Sequence, residues 1–133
     1  MVMDEADAQL ARELGTYTEL PWREAVDRAA DAVLGLIQNR PEYRKVLETV
    51  RFTGEFHAVT VASNGRVAEW MSLHPAFARA GIGRAKALEI CRVVITACNA
   101  LQDSALADDG FLGEGWIEET KRLVRGYLAQ YLP

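Results

Sequence analysis

Hydrophobic positions along the chain fall into two periods. Trp22, Val26, Ala29, Val33 and Leu36 recur at steps of four and three, the spacing of a helix with one apolar stripe. Pro21 suits the opening turn of such a helix. Arg40-Pro41 ends it, because a proline disfavours helix at the residue before it. Arg23, Glu24, Asp27, Arg28 and Asp31 supply its wet side. Upstream, residues 4–14 predict a shorter helix, capped by Asp4 and ended by Gly15. Downstream, Gly83 to Asp103 predicts a helix about 30 Å long. Leu88, Cys91, Ile95 and Cys98 form one stripe, and Ile90, Val94, Ala97 and Leu101 widen it. Only Glu89, Arg92, Thr96, Asn99 and Asp103 keep a narrow wet strip. A helix this apolar needs cover on more than one side, from other helices or from a second subunit. Residues 104–115, with three glycines, read as a loop. A last helix follows over 116–131, built on Ile117, Val124, Leu128 and Tyr131 and joined by Leu123 and Tyr127.

The second period is two. Residues 45–52, 55–62 and 67–73 alternate and are rich in β-formers, which predicts three strands. Asn64-Gly65 between the last two favours a two-residue type I′ hairpin. That turn would set Val59 opposite Trp70 and Val61 opposite Ala68 on one face. Phe56 would oppose Leu73, and Ala58 would oppose Met71, on the other. Both faces of such a sheet are apolar, so both would be covered. The expected fold is therefore α+β, in one domain. Residues 1–44 form an N-terminal helical region, residues 45–103 an antiparallel meander with its long helix, and residues 104–133 a loop and an extra helix.

Charge and composition narrow the function classes. The chain has 133 residues, half of them hydrophobic and 26% charged, with a net charge of −4. Bulk electrostatic attraction to nucleic acid is not supported by that balance. The acidic start, Met1-Val2-Met3-Asp4-Glu5, is unlike a secretory signal, and no run is long and apolar enough to span a membrane. A cytoplasmic protein without membrane contact is the expectation.

Candidate chemistry is sparse. Cys91 and Cys98 lie seven apart on a predicted helix, about 10.5 Å by helical rise, too far for a disulfide. They read as small core hydrophobes. His57 and His74 lack partners at nucleophile or metal spacing. No serine sits in a G-x-S-x-G elbow. No metal or other cofactor is implied. Arg79, Arg84, Lys86 and Arg92 form a loose basic group and are the candidate phosphate contacts, although ordinary surface charge accounts for any one of them.

Two resemblances are carried by longer segments. EFHAVTVASNGRVAEWMSLHP, with Asn64-Gly65 at its hairpin and Pro75 closing the third strand, resembles the core of the YbaB/EbfC family of nucleoid-associated proteins. ICRVVITACNALQDSA resembles that family's alanine-rich helix. The match over residues 55–103 implies a cytoplasmic homodimer that binds DNA without catalysis. Some relatives belong to type VII secretion systems and act on protein partners, which leaves a protein partner open here. Val59, Val61, Trp70, Leu88 and Ile95 are the candidate dimer or core interface. As a runner-up, HPAFARAGIGRA resembles the pyrophosphate loop of GNAT acyl-CoA transferases, with Gly81-Ile82-Gly83 as the phosphate cradle.

Overall fold

A computed structural model of the chain describes residues 17–39, 54–107 and 115–133, together with Ala8, Arg12 and Lys45. Five helices are traced among them: α1 (Trp22–Asn39), α2 (Gly54–Ser72), α3 (Pro75–Arg79), α4 (Arg84–Ala107) and α5 (Trp116–Leu128). None of the described residues is in a strand. The fold is helical, and the α+β expectation is overturned.

The correction centres on α2. The two strands expected over 55–62 and 67–73, and the hairpin between them, are one continuous helix. Asn64-Gly65 lies inside it. The strand expected at 45–52 lies outside the described residues except for Lys45, which is helical. The short helix at 4–14 is likewise outside them apart from Ala8 and Arg12, both helical. Residues 104–107 extend α4, and 108–114 are not described.

Packing decides α2. Val67 and Ala68 are buried, Ala68 completely, and Met71 is partly buried against the same core. These positions are three and four apart, a helical stripe. The stripe packs on α4, the most extensive helix contact among the described residues. β-branched residues cost a helix only a few tenths of a kcal/mol each. Burying an apolar side chain returns roughly 1.5–3 kcal/mol. The local preference for strand therefore loses to the tertiary contact. Val61, expected on an interface, is 57% exposed.

Gly65 separates the two readings experimentally. A Cβ added there meets nothing within 4 Å, and its φ is not positive. Gly65→Ala should therefore stabilise the protein by roughly 0.5–1 kcal/mol, the helix-propensity gain. In a type I′ turn the same change would destabilise, because that position needs positive φ. A urea denaturation midpoint that falls in the variant would restore the hairpin.

The remaining helices close a ring. α4 packs on α2 and on α5, and α5 packs on α1. Val67 of α2 meets Ala29 of α1. Ala87, Ile90, Cys91 and Val94 of α4 form the centre of the core. α3 adds Phe77 and ends in a Schellman turn. Gly81, at φ 75°, bonds back to the Ala78 carbonyl, and the Ile82 amide bonds to the Phe77 carbonyl at 2.9 Å. Phe77 and Ile82 then pack in the same core cluster, as this motif requires.

Candidate functional site

A cavity of about 60 Å³ sits inside this ring. α1 lines it with Trp22, Ala25, Val26 and Ala29, preceded by Tyr17 and Thr18. Trp70 and Met71 come from α2, Phe77 from α3 and Cys91 from α4. Leu128 of α5 and Leu132 beyond it complete the wall. The wall is almost wholly apolar, and no charged side chain is among its described residues.

His74 and Trp22 set the shape of this space. The His74 Nδ1 accepts the Ala76 amide at 3.1 Å, capping α3. Its Nε2 must then carry the proton, and donates to the Leu20 carbonyl at 2.8 Å. One ring thus ties the α2–α3 turn to the entrance of α1. The Trp22 indole N–H donates to the main-chain oxygen of Pro133 at 2.9 Å. That bond holds the C-terminal segment, with Leu132 buried, over the start of α1. The Arg23 guanidinium lies 4.2 Å from the Trp22 ring centre.

Two ion pairs lock α1 to α5 beside the cavity. Asp27 and Asp31 are one turn apart on α1, and Lys121 and Arg125 are one turn apart on α5. Arg125 pairs with Asp27, and Lys121 with Asp31 at 2.7 Å and with Glu118 at 3.2 Å. Desolvation pulls the Lys121 ammonium down, but hydrogen bonds and charge from Asp31 and Glu118 outweigh it and leave its pKa raised. These cations are engaged with carboxylates. The i,i+4 spacing of both pairs is present in the sequence, but it does not reveal which helix faces which.

Both thiols are free. Burial pushes Cys91 up to about 12, with the Arg84 charge opposing it, and pushes Cys98 up to about 11. Neither is a poised nucleophile. A raised folded-state value keeps the proton on in the folded chain where the unfolded chain, near 9, has lost it. Stability is therefore full below about pH 9 and falls as pH rises toward 11–12, by up to about 1.4 kcal/mol per pH unit for each thiol. Thermal midpoints between pH 8 and 10 should show this decline. The Cys91→Ala/Cys98→Ala double variant should show a flatter one, and an unchanged slope would refute the assignment.

The expected site residues are dispersed. Arg79, Arg84, Lys86 and Arg92 are all exposed. At 100° per residue, Arg84 and Lys86 point about 160° apart on α4, so the helix does not gather them on one face. Lys86 instead pairs with Glu89 at 3.6 Å and lies 5.8 Å from the Tyr131 ring centre. Of the expected interface residues, Trp70 lines the cavity, and Leu88 and Ile95 pack against the core. Val59 falls in α2, but its side chain is not described. The Gly81–Gly83 link is no phosphate cradle, since the Gly81 and Ile82 amides are taken by the Schellman turn. No group of His, Cys, Asp and Glu among the described residues could hold a metal. None of the helices there is long and apolar enough to cross a membrane.

α4 also has an outward side. Ala85, Leu88, Val93, Ala97 and Ala100 line a shallow groove of about 550 Å³, with Glu89, Arg92 and Thr96 among them. Val93 is 47% exposed, and Leu123 of the neighbouring α5 is 49% exposed.

A family model described as "Tetracyclin repressor-like, C-terminal domain" matches residues 21–128, from the residue before α1 to the last residue of α5. No curated protein and no solved structure matches the chain. This match replaces the YbaB/EbfC resemblance, whose second and third expected strands are here the helix α2. The chain belongs to the tetracyclin repressor-like C-terminal domain family.

Proposed function

We propose that the chain is the effector-sensing and dimerising part of a transcription regulator, with no catalysis of its own. One observation carries the reading: an apolar cavity inside a helical ring, in a chain whose residues 21–128 match a repressor's C-terminal domain. Such a domain acts on DNA indirectly. A ligand in the cavity shifts the packing of the ring, and a paired copy transmits the shift. Trp22, Trp70 and Met71 are the ligand contacts in this reading, and His74 and the Trp22–Pro133 bond hold the walls.

The second copy would pair through the outward side of α4 and the adjoining side of α5. Small residues at Ala85, Ala97 and Ala100 allow close helix approach, and Val93 and Leu123 supply exposed apolar area. Sedimentation or light scattering supplies the test. The expected particle has twice the 14.8 kDa of one chain, and a monomer at tens of micromolar would remove the dimer half of the proposal.

A further inference from the structure

We infer that the cavity takes an uncharged hydrocarbon group, a short alkyl chain or one edge of an aromatic ring, and rejects anions. This rests on the ligand-sensing reading and adds the class of ligand. Three observations support it.

The first is the wall. Apolar atoms of Trp22, Val26, Met71, Phe77, Leu128 and Leu132 surround the space, and no aspartate, glutamate, lysine or arginine is among its described lining, which includes His74. The second is the state of two of the polar side chains that border it, Trp22 and His74, which stand beside the hydroxyl-bearing Tyr17 and Thr18. The Trp22 N–H is spent on Pro133, and both ring nitrogens of His74 are spent on Ala76 and Leu20. A ligand would have to break these wall-holding bonds to gain a hydrogen bond from either side chain. The third is where the cations go. Lys121 and Arg125, on the helix that supplies Leu128, are paired with Asp31, Glu118 and Asp27. A carboxylate entering the cavity would lose its hydration and find no counter-charge in the wall itself; Arg23 lies over the Trp22 ring but is not among the lining residues. A hydrocarbon gains contact and loses nothing.

Size refines the class. An apolar cavity of about 150 Å³ stays dry and holds benzene or xenon. At about 60 Å³ this one is less than half as large. It admits a xenon-sized probe as it stands, and a whole ring only when a wall moves. Met71 is the wall residue suited to move, being unbranched and flexible.

Xenon, toluene and benzoate are the probes, applied to the full chain. Xenon NMR reports occupancy, and the fluorescence of Trp22 and Trp70 reports contact. Xenon should bind the wild type saturably. Ala29→Leu, which fills the space, should abolish that binding without lowering the thermal midpoint. Met71→Ala should admit toluene at least about 100-fold more tightly than benzoate, its charged counterpart. Benzoate binding as tightly as toluene, and blocked by Ala29→Leu, would leave a ligand site but overturn its class. No binding of any probe to wild type or to Met71→Ala would make the cavity a packing gap and overturn the sensing reading as well.

Discussion

Trp22→Ala is expected to destabilise the folded chain by roughly 3–5 kcal/mol, the usual loss when a large buried aromatic is removed. Trp22 is only 8% exposed and belongs to the central core cluster. Its ring forms part of the cavity wall, so the alanine would merge the new void with space already there. Its indole also carries the bond that fixes Pro133, and with it the buried Leu132. A domain of this size holds about 5–15 kcal/mol in total, so the variant should sit near the edge of folding. Trp22→Phe keeps most of the volume and loses the hydrogen bond, for about 1 kcal/mol. Urea denaturation of the three proteins gives both numbers. A loss below about 1 kcal/mol in the alanine variant would mean that Trp22 is not a core residue, and the ring described here would be wrong.

Val93→Glu should convert the proposed dimer to a folded monomer, weakening association at least about 100-fold. In a two-fold symmetric interface one substitution introduces two carboxylates, and like charges brought together across an interface cost several kcal/mol. Val93 is 47% exposed in the single chain, so the monomer loses little of its own core. Sedimentation equilibrium measures the association constant, and a urea titration under monomeric conditions checks the fold. Leu123→Glu on α5, where the leucine is 49% exposed, should act in the same direction. If both variants dimerise as tightly as wild type, the interface lies elsewhere.

The α1–α5 ion pairs deserve a smaller expectation than their geometry suggests. Lys121 is buried, but Asp31 and Glu118 are each 63% exposed at the side chain. Removing the lysine leaves carboxylates that water can solvate, so no stranded charge results. The pairs are better understood as fixing the register of α5 on α1. Together they couple residues four apart on one helix to residues four apart on the other.

Several helices were legible from periodicity. The stripe from Trp22 and the stop at Arg40-Pro41 place a helix where α1 runs, Trp22–Asn39. The apolar run after Gly83 places α4, and the free, core-like character of Cys91 also follows from spacing. What misled was residues 54–72. There β-branched residues, period-two alternation and Asn-Gly all favour a hairpin, while Val67, Ala68 and Met71 carry a helical stripe at the same time. Both periods fit one short segment, and local preference cannot choose between them. The cavity was not legible at all. Its lining comes from five helices and the turns beside them; only α1 shows a helical run of it, at Trp22, Ala25, Val26 and Ala29, and the other helices add one or two residues each.

By itself, then, the sequence determined where the helices α1 and α4 run and that Cys91 and Cys98 are free thiols. These follow from residue type and spacing along one element. Tertiary structure alone decided that 54–72 is helix, that Thr120 and Lys121 of α5 turn inward while Leu123 turns out, and that the rings of Trp22, Trp70 and Phe77 border one space. Those outcomes depend on which helix lies against which. The burial energy that settles the choice exists only once distant segments meet.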